Sequence, residues 1–285
     1  MKKAFTLIAA LFFAIGMASA QDVYFSGNHD GTGKIWKNNT LIHSLSDSTH
    51  QVALSSLQVA TDSSIYAAGC VHDTALVHRQ AHVWLNDSIV FVGDTSTAIN
   101  SMALNGDTWT AGGIGTNEWD QVAGLVWQDG EMLYAYSDST QSNQIMSITV
   151  DPATGDVYAG GFVGSENVYA CAWKNDTILW QSSALSGINA LCIADGDLYA
   201  AGFTFVGDDL HAVLWQNDSI IFSIDSPDAE FTALAYYEGS IYLGGYDGNS
   251  LYVWQDNEVL YDHACTEFSS IYAMSVNEYG VYYAG

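Results

Sequence analysis

The side chains with the most chemical potential are the acidic residues of six variable segments that separate short apolar stretches. Carboxylates brought together in space can bind cations such as Ca²⁺ or the hydroxyl groups of a glycan, and a pair of them can hydrolyse a glycosidic bond. Our candidate ligand-binding residues are seven of these acids and one tryptophan: Asp30, Asp73, Trp119, Asp120, Glu166, Asp208, Asp209 and Asp247. The same pattern also fits ordinary solvated loop carboxylates, so both interpretations stay open.

The densest histidine group is His72, His78 and His82, which lies beside Asp73. Imidazole nitrogens are common zinc ligands, so these three are the candidates for a metal site. Arg79 adds a positive charge to the same segment, which opposes metal binding and favours ordinary loop histidines. We therefore predict no metal centre and no resident cofactor, with Ca²⁺ as the cation that the acidic segments could take.

Familiar catalytic motifs do not occur. The segment Gly31-Thr32-Gly33-Lys34 resembles a phosphate-binding loop, but its spacing is wrong and Ile35 stands where Ser or Thr is required. The sequence contains no His-Glu-x-x-His, Gly-x-Ser-x-Gly or Ser-x-x-Lys segment. A carboxylate pair for glycoside hydrolysis stays open, because its spacing is spatial rather than sequential.

The charge balance excludes one large class of partners. The chain has 32 acidic and 6 basic residues, which gives a formal net charge of −26. A surface this negative repels phosphate backbones, so we expect no nucleic-acid ligand. Apolar residues make up 49% of the chain and aromatic residues 13%, which is ample for a folded core.

The N-terminus has the features of an export signal. Lys2 and Lys3 precede the apolar run 4–17, and Ala18-Ser19-Ala20 fits a signal-peptidase site. We predict a signal peptide over 1–20, cleavage after Ala20 and a secreted or periplasmic mature protein, with a retained N-terminal anchor as the alternative. No later segment is continuously apolar, so we expect no membrane span.

The remainder, 21–285, is a repeat. A strand-like pentad that ends in glycine recurs seven times, at 23–27, 65–69, 108–112, 157–161, 198–202, 241–245 and 281–285. Tyr24 and Tyr282 are 258 residues apart over six intervals, which gives a mean period of 43. Between the pentads lies a tryptophan followed by a polar pair, at Trp36, Trp84, Trp127, Trp173, Trp215 and Trp254. We expect these six indoles in the core.

Each unit is predicted to contain four short strands. Apolar segments of about four to seven residues, rich in β-branched and aromatic side chains, favour strand over helix. Asn-Asp, Asp-Gly and Asn-Asn pairs after each tryptophan suit tight hairpins. In chain order the strands are an inner apolar strand (A), the pentad strand (B), the tryptophan strand (C) and an aliphatic strand (D). Four antiparallel strands in a repeat of this length are typical of a β-propeller blade.

The repeats resemble the tryptophan-containing β-propeller repeats of secreted bacterial proteins, which are mostly of unassigned function. The resemblance rests on Val157-Tyr158-Ala159-Gly160-Gly161 and on the segment 170–175, Ala-Cys-Ala-Trp-Lys-Asn, and it covers nearly all of 22–285. It implies the fold, but hardly any particular function, because propellers serve as hydrolases, lectins and scaffolds. No WD dipeptide, kelch signature or sialidase-type Asp box recurs.

The number of blades is harder to predict from the repeat. The repeat region begins with a B strand at 23–27 and ends with a B strand at 281–285. We predict an all-β propeller of six four-stranded blades, in which the strand 271–276 could complete the first blade. The alternative is seven blades with an incomplete last one. Because stopping at a pentad glycine is unusual for a natural domain, we expect an open reading frame that is truncated at its C-terminus.

The predicted topology places the candidate residues together on one face. With strand A innermost, the B–C and D–A connections share a face, and the variable B–C loops carry the acidic candidates. We predict an exported, monomeric, non-catalytic binding or scaffold module for a glycan, peptide or protein. The alternative is a propeller glycoside hydrolase or lyase that uses loop carboxylates at the central channel.

Two further features have open interpretations. The four cysteines, Cys70, Cys171, Cys192 and Cys265, are either free thiols or bridged, with Cys171–Cys192 as the first pair to test. The tripeptides that begin at Asp87, Asp176 and Asp218 resemble O-glycosylation acceptors of exported bacterial proteins, although the same residues suit a hairpin turn.

Overall fold

The computed structural model describes residues 8–10, 22–46, 50–73, 79–116, 121–137, 141–265 and 269–285. Within these ranges the chain forms 25 β-strands and no helix. The all-β class predicted from the short β-branched and aromatic segments is therefore confirmed.

The first three sheets each contain four antiparallel strands in consecutive order. Their strands are β1 (Ile8–Ala10), β2 (Tyr24–His29), β3 (Thr32–Lys37), β4 (Thr40–Leu45), β5 (Gln51–Val59), β6 (Ile65–His72), β7 (Arg79–Leu85), β8 (Ser88–Thr95), β9 (Ala98–Asn105), β10 (Thr108–Thr116), β11 (Val122–Gln128) and β12 (Glu131–Tyr136).

The next seven strands form two further four-stranded sheets that share the long strand β16. Its residues 177–185 pair with β15, and its residues 186–194 pair with β17. A sixth sheet and a final pair of strands follow. The strands are β13 (Asn143–Val150), β14 (Val157–Val163), β15 (Tyr169–Lys174), β16 (Thr177–Ala194), β17 (Asp197–Val206), β18 (Asp209–Gln216), β19 (Ser219–Ile224), β20 (Ala229–Tyr237), β21 (Ser240–Asp247), β22 (Ser250–Gln255), β23 (Glu258–Ala264), β24 (Ala273–Asn277) and β25 (Gly280–Ala284).

Every tryptophan strand ends in a hairpin whose first turn residue is Asn or Asp at positive φ. The side-chain oxygen of this residue accepts the N–H of the residue that begins the neighbouring pentad, at 2.8–3.2 Å. The pairs are Asn38 with Val23, Asn86 with Ile65, Asp129 with Trp109, Asn175 with Val157, Asn217 with Leu198, and Asp256 with Ile241. This bond explains the Asn or Asp two residues after each repeat tryptophan.

The pentad glycine lies against the backbone of the inner strand. A Cβ on Gly161 would lie 1.9 Å from the carbonyl oxygen of Gln144. The close approach arises from a β-bulge, because the register of the inner strand shifts between Ile145 and Ser147. The same obstacle faces Gly69, Gly113, Gly202, Gly245 and Gly285. Only glycine fits at this position.

The third repeat corrects our alignment of the pentads. The glycine opposite its bulge is Gly113 rather than Gly112, since Gly113 pairs with Ile99 as Gly161 pairs with Ile145. The third pentad is therefore 109–113 instead of 108–112. Trp109, which is 5% exposed, fills the position that an aliphatic residue takes in the other described repeats.

Each bulge is joined to the preceding sheet by side-chain hydrogen bonds. Serine hydroxyls of one inner strand accept backbone N–H groups of the next: Met102 donates to Ser56 (3.0 Å), Ile148 to Ser101 (3.2 Å) and Leu191 to Ser147 (3.0 Å). Bulge side chains also donate to carbonyls of the following sheet: Ser55 to Ile99 (2.6 Å), Asn100 to Ile145 (2.7 Å), Asn189 to Phe231 (2.9 Å) and Thr232 to Ile271. Consecutive sheets are thus held face to face at their inner edges.

The repeat tryptophans fill the space between consecutive sheets, as predicted. Trp84, Trp127, Trp173, Trp215 and Trp254 are 2–4% exposed, and Trp36 is half-buried. Trp173 stacks on Tyr136 of the preceding sheet, with ring centroids 4.9 Å apart. At about 25 cal/mol/Å² a buried indole contributes at most about 4–6 kcal/mol to the hydrophobic term.

The series of sheets is not closed on itself in the described ranges. β24 pairs with β25 and packs on β20 of the sixth sheet, while Ile8–Ala10 takes the inner position of the first sheet. The strand at 271–276 therefore does not complete the first blade, and the number of blades stays a prediction.

The cysteines are free thiols, so the bridge between Cys171 and Cys192 is not formed. Cys171 is fully buried, and this burial raises the pKa of its thiol to about 12. The hydroxyls of Thr177 and Ser219 each donate to the carboxylate of the preceding aspartate at 3.1 Å. O-glycosylation at these hairpins stays a prediction.

We predict that Gly161→Ala lowers the free energy of unfolding by about 3 kcal/mol, because the added methyl group would displace the bulge backbone. Urea denaturation of the purified protein measures this change. Gly160→Ala is the matched control. Its Cβ would meet the side chains of Leu191 and Ile188, and the second and fifth sheets already carry Ala68 and Ala201 at this position. We expect it to cost only about 1 kcal/mol, because the side-chain atoms that it meets at 2.8–2.9 Å can shift more readily than a backbone carbonyl. Equal losses for the two variants would contradict the role assigned to the bulge.

Candidate functional site

The turns of the sheets fall on two faces. The connections from pentad strand to tryptophan strand, such as β14 to β15 and β17 to β18, share what we call the loop face. The tight hairpins that follow the tryptophans, such as β15 to β16, lie at the opposite ends of the same strands and form the hairpin face. The variable loops and the acidic candidates are on the loop face.

A groove opens on the loop face between the fourth and fifth sheets. It has a volume of about 320 Å³ and lies between the β14–β15 loop and the β17–β18 turn. We call it the loop groove. Its lining residues are Glu166, Asn167, Val168, Leu185, Phe205, Gly207 and Asp208.

Hydrogen bonds around β16 fix the walls of the loop groove. β16 passes from the fourth sheet to the fifth at this point. The N–H of Ser186 donates to the carbonyl of Val168 (3.0 Å), and its hydroxyl accepts the N–H of Ala170 (3.1 Å). The hydroxyl of Thr204 donates to the carbonyl of Leu185 (3.2 Å). The β14–β15 loop and strand β17, which border the groove on its two sides, are therefore both hydrogen-bonded to β16.

The groove combines an apolar wall with an acidic rim. Val168 and Leu185 are half-buried, whereas Phe205 is 37% exposed and makes an edge-to-face contact with Phe203 at 5.8 Å between ring centroids. The side chains of Glu166 and Asp208 are exposed at its edge. Such a site can hold a ligand with an apolar part and a positively charged or hydrogen-bonding part.

The structure brings two of our eight candidates, Glu166 and Asp208, into one site. Asp209 is the first residue of β18, directly after Asp208. Asp30 lies in the β2–β3 turn at φ 50°, where its carboxylate is 3.2 Å from Nε2 of His29. Asp247 ends β21 and accepts a hydrogen bond from Ser226 at 2.7 Å. Asp30 and Asp247 therefore sit on separate turns.

The histidine group does not assemble into a site in the part of the chain that the structure describes. Nδ1 of His72 lies 2.9 Å from the carbonyl oxygen of Asp73, whereas His82 is buried and stacks on Trp84, with 5.3 Å between ring centroids. No group of three or more His, Cys, Asp or Glu residues in the described ranges could hold a metal ion. His78, Trp119 and Asp120 lie outside those ranges.

Sequence reasoning missed one ordered carboxylate on the loop face. Glu230 accepts hydrogen bonds from the amide of Asn189 (2.7 Å) and from the hydroxyl of Tyr246. Burial is the largest cause of the raised pKa of Tyr246, followed by this bond. The only sequence signal is positional: the residue before the bulge is Ala, Ala, Gln, Gly and Ser in the other inner strands, at 53, 98, 144, 187 and 270. Held from two sides, this carboxylate joins the fifth sheet to the sixth.

The carboxyl groups with shifted pKa values are concentrated on the hairpin face. Asp156 accepts bonds from Lys174 (2.8 Å), Asn175 (2.9 Å) and Thr154 (3.0 Å), and these bonds, with Lys174 first, lower its pKa to about 2. Bonds from Lys37 and Asn38 likewise lower the pKa of Asp22. A glycosidase acid needs the opposite shift. Across the described residues, each carboxyl group that departs from its usual pKa has it lowered: Asp22, Asp62, Asp156 and Asp197.

Comparison with known proteins identifies the fold. No protein-family model and no curated protein sequence matches the chain. The crystal structure of the WD40 beta propeller domain of Doa1 is similar, with a TM-score of 0.59 over 97% of this chain and 93% of that one. The fold is a β-propeller. At 13% identity the likeness concerns the fold alone. Among the described residues, no helix is long and apolar enough to cross a bilayer.

We predict that Asp156 makes the propeller less stable in acid. Its folded pKa of about 2 lies below the ordinary value of 3.8. Its stabilising bonds are therefore complete above about pH 4 and are lost as the pH falls towards about 2. In urea denaturation, Asp156→Asn should show a smaller loss of stability between these two pH values than the unmodified chain. Asp262→Asn, at an exposed position of β23, is the control. A pH dependence that Asp156→Asn leaves unaltered would contradict this role.

Proposed function

We propose that the chain is an exported bacterial β-propeller that acts as a non-catalytic binding or scaffold module. A signal peptide over 1–20 would direct it out of the cytoplasm, and the mature protein would act as a monomer. Its ligand, a peptide, protein or glycan, would bind on the loop face. Its ring would have six four-stranded blades; because β1 (Ile8–Ala10) lies within the signal peptide, the first blade would keep β2–β4 after cleavage and would need another inner strand.

The observation that carries this proposal is the loop groove. It lies between variable loops, has an apolar wall, and is bordered by two of the carboxylates singled out in the sequence, Glu166 and Asp208. Its volume of about 320 Å³ is at the lower end of the range of ligand pockets. Hydrogen bonds to Ser186 hold its walls, so little ordering is needed when a ligand binds.

The carboxyl groups support binding over hydrolysis. Glycoside hydrolysis needs a carboxylic acid that stays protonated near neutral pH, which requires burial or a neighbouring negative charge. Glu166 and Asp208 are exposed, and Glu230, the ordered carboxylate of the loop face, accepts hydrogen bonds from two sides. Such carboxylates are suited to attracting and orienting a ligand.

A selection experiment tests the proposal. We expect the immobilised protein to enrich specific members of a displayed random-peptide library or of a glycan panel. Asn167→Trp should abolish this enrichment, because an indole in place of an exposed amide fills the groove. Val259→Trp adds the same ring to an outer-strand residue that is 55% exposed and should change nothing.

Each other result would overturn part of the proposal. Enrichment that survives Asn167→Trp would place the ligand elsewhere on the molecule. No enrichment by the unmodified protein would contradict a binding role, and turnover of a glycan on the panel would favour the hydrolase alternative. Thermal unfolding of all three proteins shows that the variants are folded.

A further inference from the structure

We infer that the loop groove receives a lysine or arginine side chain from a peptide segment of a protein partner. This inference rests on the proposed function and names the chemistry of its ligand. It follows from the state of the rim carboxylates, the apolar wall, the size of the groove and the distribution of charge over the chain.

The rim carboxylates are available to a ligand. Glu166 and Asp208 border the groove from two different sheets, and neither is hydrogen-bonded or ion-paired to another residue of the described ranges. By contrast, the carboxylates of Asp22 and Asp156 on the hairpin face are bonded to Lys37 and Lys174. Two unpaired carboxylates on facing loops favour a cation between them over an anion or a neutral group.

The apolar wall selects among cations. Val168, Leu185 and Phe205 offer hydrocarbon and ring surface in the same groove as the two carboxylates. Lysine and arginine have an apolar stem and a charged head, so the stem can lie along such a wall while the head reaches a rim. Arginine also stacks on aromatic rings. A bare metal ion would gain nothing from Phe205.

The size of the groove indicates how much of a partner enters. About 320 Å³ is small for a ligand pocket and suits one long side chain together with part of its neighbour. Phe205 and Val206, which are 37% and 57% exposed, extend the apolar surface beyond the groove. An apolar residue next to the basic one in the partner would cover this extension.

The charge of the whole chain also favours a positively charged ligand. With 32 acidic and 6 basic residues, the protein attracts a positively charged partner over distance. Lys37 and Lys174 lie beside the hairpins at the far ends of the strands. The lining of the groove contains no basic residue. Arg79, at the start of β7, is at the loop-face end of the second sheet, so it is the groove between the fourth and fifth sheets, rather than the whole face, that has no basic side chain in its lining.

Peptides that differ only in charge test the inference. The probes are Gly-Leu-Xaa-Leu-Gly peptides with blocked ends, in which Xaa is arginine, lysine, citrulline or glutamate. Amide NMR of the isotopically labelled protein measures their affinities and shows which backbone amides respond. We expect the arginine and lysine peptides to shift the amides of Val168 and Gly207. Citrulline, the neutral analogue of arginine, should bind about tenfold more weakly, and the glutamate peptide should leave these amides unchanged.

A charge-matched pair of variants identifies the responsible carboxylates. The double variant Glu166→Gln, Asp208→Asn should lower the affinity for the arginine peptide to that of the citrulline peptide. The control Glu131→Gln, Glu258→Gln removes the same charge from two exposed positions beside the hairpins and should leave the affinity unchanged. Added salt should lower the affinity for the arginine peptide and leave the affinity for the citrulline peptide unchanged.

Three results would overturn the inference. Equal affinities of the arginine and citrulline peptides would show that the positive charge does not contribute to binding. Equal losses in both double variants would assign the attraction to the overall charge instead of the groove. Groove amides that respond to a glycan but to none of these peptides would assign the site to a sugar. In each case the proposed binding function would still stand if the protein binds some other ligand and Asn167→Trp abolishes that binding.

Discussion

A β-bulge in the innermost strand of the second to sixth sheets is the feature on which the rest of the structure depends. The bulge inserts a residue that the neighbouring strand cannot pair, and side chains of the preceding sheet bond to backbone groups that flank the inserted residue. Ser101 accepts the N–H of Ile148, and Asn100 donates to the carbonyl of Ile145. A buried amide left without a partner costs about 1–3 kcal/mol, so a sheet bonded in this way needs the one before it. The buried indoles then fill the space that this contact sets.

The same constraint gives the loop groove its shape. The fourth and fifth sheets share β16, and Ser147 holds the inner end of the fifth sheet through the N–H of Leu191 at 3.0 Å. Ser186, at the point where β16 changes sheets, binds the backbone of Val168 and Ala170. The two loops that form the groove can vary in sequence, because Ser186 bonds to the backbone of Val168 and Ala170 and not to their side chains.

Much of this architecture could be predicted from the sequence, because its signals are local and repeated. The Asn or Asp after each tryptophan and the glycine at the end of each pentad reflect contacts that the structure shows at Asn175 and Gly161. The sequence alone places the third pentad at 108–112, one residue before its position in the structure, 109–113. Two adjacent glycines, Gly112 and Gly113, both fit the motif, and only the register of the bulge distinguishes them.

The candidate site could be predicted only in part. Glu166 and Asp208 are 42 residues apart, close to one repeat, so the period indicated that their loops are equivalent and neighbouring. It could not indicate that a groove lined by Leu185 would open between these two loops in particular. Glu230 was missed because its role comes from Asn189 and Tyr246, which are distant in sequence. Ring closure has no local signal, because it depends on the pairing of strands from opposite ends of the chain.

Amide hydrogen exchange at the inner strands tests the central claim most directly. The N–H groups of Met102, Ile148 and Leu191 donate to serine hydroxyls of the preceding sheet. The equivalent N–H groups of Leu234 and Met274 follow sheets that carry Ala190 and Ala233 in place of serine. We predict markedly slower exchange at the first three amides than at the last two. Equal exchange at all five would contradict the account that bonds between bulges hold the sheets together.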